Sequence, residues 1–173
     1  NRGNLYKRIG DFQRAIADYN KVIAIDPRPA DAYNNRGNIY MNLGDIQEAL
    51  ADYNKAIEIA PNLTGVYANR AGVHKMLGNN EQALADYNKA IVIGPQSAFV
   101  YTNRGNIHKA LGNFQQALAD YNKAIVINPR YAVAYFNRGI LHKQTGNAQQ
   151  ALADYNKAIE IKPDLVGVYF RRA

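Results

Sequence analysis

One string dominates the chain. ALADYNKAI stands at 49–57, 83–91, 117–125 and 151–159, with the near copy AIADYNKVI at 15–23, so the sequence repeats every 34 residues. A glycine keeps the same step at Gly10, Gly44, Gly78, Gly112 and Gly146, and a proline does so at Pro27, Pro61, Pro95, Pro129 and Pro163. A period with two such punctuation marks has room for two short elements. A unit of that size cannot bury an apolar face alone, so neighbouring units must stack on it. The predicted fold is a linear array.

Both elements read as helices. Between a proline and the next glycine, Tyr33, Arg36, Gly37 and Tyr40 form a stripe at the 3.6-residue period, and Gly44 ends it. Asp45 then stands as an N-cap with Glu48 three residues on, and Asn79 with Gln82, Asn113 with Gln116 and Asn147 with Gln150 repeat the pair, which predicts capping boxes. Asp11 has Arg14 in that place and is expected to lack one. The second element presents Ala49, Tyr53, Ala56 and Ile57 at helical spacing and closes before Pro61.

Tyr33, Gly37, Tyr40, Ala49, Tyr53, Ala56 and Pro61, with their counterparts in the other units, resemble the tetratricopeptide repeat over essentially the whole chain. Helical-repeat families that read RNA base by base have other periods and signatures. The resemblance implies an all-α, right-handed superhelical solenoid of antiparallel helix pairs, with the first helices lining a concave groove. It implies a binding scaffold and not an enzyme. The expected organisation is a single array over 1–173, with full repeats at 30–63, 64–97, 98–131 and 132–165 and partial ones at 1–29 and 166–173. Both ends fall inside a repeat without a polar capping helix, so the chain is expected to be a fragment of a longer array or to stack end to end.

Composition narrows the chemistry. Cysteine is absent, which excludes disulfides, thiol catalysis and thiolate metal sites. Hydrophobic residues at 47% and charged residues at 20% describe a soluble folded protein, without an apolar run of membrane-spanning length. The chain opens at Asn1 with no signal-like segment, so the compartment is not legible and the cytoplasm is only the default. The net charge of +7 is uneven: residues 1–81 carry ten basic and nine acidic groups, residues 82–157 eight basic and three acidic. That basic half could attract RNA, acidic surfaces or acidic peptides.

Arg2, Arg36, Arg70, Arg104 and Arg138 each precede an aspartate, Asp18, Asp52, Asp86, Asp120 and Asp154, by sixteen residues. Folding the hairpin at its glycine brings each pair level, so these are read as structural ion pairs, since an unpaired inward charge is costly. His74, His108 and His142 stand where Tyr6 and Tyr40 stand and are read as aromatic packers. Equivalent helices lie about 8–10 Å apart or more, too far for such a ladder to chelate one ion. No metal or cofactor is expected, and no nucleophile–base pair or phosphate-cradling loop is present. Asn20, Asn54, Asn88, Asn122 and Asn156, beside a lysine row, are read as a solvated outer face.

The remaining polar face belongs to the first helices. Asn35, Asn69, Asn103 and Asn137 recur once per repeat although asparagine has no advantage inside a helix. An asparagine amide offers an acceptor and two donors, enough to engage an extended peptide backbone without regard to its sequence. Family members that run a chain along an asparagine ladder use this place, which the resemblance adds. The alternative is that duplication copied the asparagine without selection on it. Asn38, Asn106, Lys75, Lys109 and Lys143 add polarity and positive charge, and Phe99, Phe136, Ile140 and Phe170 add apolar anchors, so an acidic or amphipathic peptide is the expected partner. The carboxylate clamp of the family is matched in part, by Asn106, Asn137 and Arg171, but Thr102 and Gly167 replace its lysines. The competing readings are RNA binding on the basic half and a self-associating structural array.

Overall fold

The computed structural model describes residues 2–26 and 28–164. Ten helices follow in order: α1 (Arg2–Arg8), α2 (Phe12–Ile25), α3 (Ala30–Leu43), α4 (Ile46–Ile59), α5 (Thr64–Met76), α6 (Asn80–Ile93), α7 (Ala98–Ala110), α8 (Phe114–Ile127), α9 (Ala132–Gln144) and α10 (Ala148–Ile161). They form two compact units, Asn1–Ile93 with α1 to α6 and Gly94–Ala173 with α7 to α10. In each unit every odd-numbered helix pairs with the even-numbered helix that follows it. In the first unit α2 packs on α3 and α4 on α5; in the second α8 packs on α9.

The turn inside each hairpin is set by its glycine. Gly44 adopts φ 86°, a left-handed conformation that a side chain disfavours. Its N–H reaches Met41 O at 3.3 Å while the Asp45 N–H reaches Tyr40 O at 2.9 Å. These two bonds close a Schellman turn, and the same pair recurs at Gly10, Gly78, Gly112 and Gly146.

That turn explains why the capping boxes expected at Asp45, Asn113 and Asn147 do not form. Asp45, Asn113 and Asn147 occupy the N-cap positions, but none of their side chains caps the helix. A capping box needs a free N-cap N–H for the N3 side chain to engage. Here that N–H is already bonded to the preceding helix, as in Asn113 to His108 O and Asn147 to His142 O, both 2.8 Å. Asn147 instead turns its amide to Thr145 Oγ1 at 3.0 Å. Asp11, expected to have no box, is the one whose carboxylate does cap, accepting from the Arg14 N–H at 3.2 Å. The Arg14 guanidinium, 3.3 Å from the same carboxylate, draws it there.

The second helices supply the core. Ala49, Tyr53 and Ala56 lie at i, i+4 and i+7 and are 0–1% exposed, and their counterparts in α6, α8 and α10 are buried as well. Tyr19, Tyr53, Tyr87, Tyr121 and Tyr155 are each 0–2% exposed, as packing residues should be. The first helices bury two rows. Gly37 faces its own partner helix, with an added Cβ falling 2.9 Å from the Tyr53 ring. Ala32 and Ile39 pack back onto Ala15 and Tyr19 of the preceding hairpin, and Val66 and Val73 do the same onto Ala49 and Tyr53. That second row is what stacks one repeat on the next.

Candidate functional site

Each arginine of this row is held by its aspartate. Arg36 grips Asp52 with two bonds, Nε to Oδ2 at 2.8 Å and Nη2 to Oδ1 at 2.6 Å. Arg2–Asp18, Arg70–Asp86, Arg104–Asp120 and Arg138–Asp154 repeat this fork. The guanidinium also lies over Tyr33 at 5.4 Å, with equivalents at Arg70–Tyr67, Arg104–Tyr101 and Arg138–Tyr135. Its remaining edge crosses to the previous repeat: Arg36 Nη1 donates to Asn20 Oδ1 at 2.5 Å, Arg70 to Asn54 at 2.6 Å and Arg138 to Asn122 at 2.6 Å. Asn20, Asn54 and Asn122 are therefore not merely a solvated face, because they tie one hairpin to the next. Their recurrence in a helix interior was the available signal, the same one that singled out Asn35 and its counterparts.

The histidines flank these forks. His74 Nε2 stands 4.0 Å from Asp86 Oδ2, and His142 Nε2 stands 3.9 Å from Asp154 Oδ2. Burial, then the nearby Arg104 charge, holds the His108 imidazole below its usual range, although Asp120 pulls the other way. Burial pushes the Tyr87 phenol up to about 12, with the Asp86 charge adding to it, so this hydroxyl stays protonated. Among the described residues no group of three or more His, Asp or Glu side chains is placed to hold a metal ion.

The asparagines of the first helices divide by one turn. Asn38 and Asn106 give their side-chain oxygens to buried tyrosines, accepting from Tyr53 Oη and Tyr121 Oη at 2.8 Å. Asn4 does the same for Tyr19 at 2.6 Å. These amides help to satisfy the core, leaving only their N–H groups for a ligand. Asn35, Asn69, Asn103 and Asn137 are half-buried and bond to no core tyrosine. Asn35 lines a cleft of about 390 Å³ with Asp26, Arg28, Asp31 and Leu63. Asn69 Nδ2 donates to Asn34 Oδ1 at 3.0 Å, and Asn103 Nδ2 donates to Phe99 O at 3.0 Å.

Lys75, Lys109 and Lys143 lie in the last turns of α5, α7 and α9, where a cation complements the helix dipole. Lys75 and Lys143 are exposed and Lys109 is half-buried. Phe99 is 51% exposed. Phe136 and Ile140 instead pack against the Ala151, Tyr155 and Ala158 cluster, with the Phe136 ring 6.1 Å from that of Tyr155. Ile140 and Lys143 line a cleft of about 320 Å³ with Gln144 and Tyr155. Phe170, Arg171 and Gly167 lie outside the described residues. No helix among the described residues is long and apolar enough to cross a membrane.

Known proteins share this architecture. A solved structure of MamA superposes with a TM-score of 0.82 at 24% identity, over 96% of this chain and 98% of that one. YrrB, described as a TPR protein with an unusual peptide-binding site, gives 0.78 at 24% identity over 98% and 88%. A tetratricopeptide repeat protein from Parabacteroides merdae ATCC 43184 gives 0.84 at 26% identity over 99% and 68%. No curated protein matches the sequence. The family model described as the tetratricopeptide repeat matches residues 30–63 and 132–165, and that described as the TPR repeat matches 3–44, 76–112 and 105–146. With most of its length matched in this way, the chain belongs to the tetratricopeptide repeat family.

Proposed function

We propose that the chain is a protein-interaction scaffold that holds an extended peptide on the first-helix faces through Asn35, Asn69, Asn103 and Asn137. One observation carries this reading. These four asparagines recur in helix interiors without serving the core, whereas Asn38 and Asn106, one turn further on, are drawn into it by tyrosine hydroxyls. A peptide amide would receive from each ladder residue a donor and an acceptor, in a manner indifferent to its side chains. Lys75, Lys109 and Lys143 favour an acidic or amphipathic ligand. The peptide-binding site that names YrrB, on the same fold, agrees with this reading.

The forked Arg–Asp pairs take no part in recognition, because a guanidinium already held by a carboxylate gains little from a second anion. Replacing Asn103 and Asn137 together by alanine removes two backbone contacts worth about 1 kcal/mol each, so affinity for peptides selected from a displayed random library is expected to fall about tenfold or more. The helical circular dichroism signal should be unchanged. Equal affinity in the double variant would remove the ladder from the site.

A further inference from the structure

Asn69 of the first unit and Asn137 of the second are not in the same state, and the difference traces to one neighbouring position. In the first unit Asn69 gives an amide hydrogen to Asn34 on the preceding first helix. In the second unit Thr102 stands at the place of Asn34. Its hydroxyl is buried, at 1% exposure for the residue, and has no partner among the described residues. A threonine oxygen sits directly on Cβ and reaches less far than an asparagine amide. Among the described residues no hydrogen bond engages Asn137.

The residue one turn before each ladder position changes as well. Asp31 and Gly65 precede Asn35 and Asn69, whereas Phe99 and Val133 precede Asn103 and Asn137. Phe99 is 51% and Val133 37% exposed, although both are apolar. The bond from Asn103 back to the Phe99 carbonyl places the two on one helix face. Charge agrees with this polarity. Among the described residues of the second unit the carboxylates are Asp120 and Asp154, both buried against arginines, Glu160, paired with Lys157, and Asp164, against the surface cations Lys109, Lys123, Arg130, Lys143 and Lys162.

We infer that side-chain recognition belongs to the second unit: Phe99 and Val133 receive apolar side chains of an acidic, extended peptide whose backbone is held at Asn137, and Thr102 keeps that asparagine available. Asn34 does the opposite in the first unit, where it occupies Asn69. This inference rests on the peptide-binding reading above and adds two specificity-determining positions, Val133 and Thr102.

The test is a random-peptide library panned against the full chain, followed by titration of the enriched peptides. Enriched sequences should combine an apolar residue with Asp or Glu. Phe99→Ser and Thr102→Asn should each weaken them about tenfold, the first by removing apolar contact and the second by supplying Asn137 with an internal partner. Val126→Ser, at an exposed apolar position of α8 away from the first helices, should change affinity less than about twofold. Thr102 is buried, so its variant is checked by melting temperature, and Phe99→Ser, at an exposed site, decides the matter if that variant does not fold. Enrichment of basic peptides, or of peptides without an apolar residue, overturns the inference and leaves a peptide-binding protein. So does a loss at Val126→Ser equal to that at Phe99→Ser. Failure to enrich any peptide overturns the peptide-binding reading itself.

Discussion

The hairpins α3–α4 and α5–α6 share a unit, a forked arginine and a buried tyrosine, but they meet differently where their helices cross. In the first, Gly37 lets the Tyr53 ring approach and Asn38 accepts its hydroxyl. In the second the glycine has moved on by one residue, so Ala71 sits fully buried at the crossing and Gly72 offers no acceptor. A small residue at the crossing is common to both hairpins, whereas an amide for the tyrosine is not. The close approach is thus the stricter requirement, and Gly72, with open space beside it, is a helix glycine that no contact demands.

The largest effect should leave the two hairpins alike. Asp52→Ala and Asp86→Ala each strand an arginine at the helix crossing, and each is expected to cost about 3 kcal/mol in urea denaturation. A much smaller loss in one hairpin would show that its fork is dispensable. The comparison then separates at the glycines. Gly37→Ala puts a methyl 2.9 Å from the Tyr53 ring and should destabilise by about 1–3 kcal/mol, whereas Gly72→Ala should stabilise by about 0.5–1 kcal/mol. Equal signs for the two would end the distinction drawn between them. A smaller cost, about 1 kcal/mol, is expected for Asn38→Ala, which deprives Tyr53 of its acceptor.

The smallest effect concerns a different substitution between repeats, Tyr40 against His108. The folded state depresses the His108 imidazole, so the unfolded chain binds the proton more readily. Stability from this group is present above the ordinary histidine value of 6.5 and is lost as pH falls through the folded value. His108→Tyr should flatten the dependence of the melting temperature on pH below neutrality. An unchanged slope would assign that dependence to other groups.

Much of the fold was legible because its determinants are local. Gly44 sets a left-handed turn, Pro61 follows a helix end, and Ala49, Tyr53 and Ala56 announce their face by spacing alone. The capping boxes were misread for a reason outside the local pattern, since the Asp45 N–H that Glu48 would have to engage is consumed by a carbonyl of the preceding helix. The site was harder. Asn35 and Asn38 are the same residue three positions apart, and only the tyrosine across the hairpin tells them apart. Asn54 looked like its lysine neighbour until the arginine of the following repeat reached it. Periodicity marks a position as recurrent but does not say which partner it serves.

Arg36 stands midway in the chain between its two partners, sixteen residues after Asn20 and sixteen before Asp52, and Arg70 and Arg138 keep the same symmetry. Removing or inserting a whole repeat within the array therefore hands each arginine an equivalent asparagine and an equivalent aspartate, so length can change without orphaning a polar group. A one-residue slip has no such protection, because it misplaces both partners together. Growth by duplication is thus written into the hydrogen bonding as a unit of currency that admits no small change.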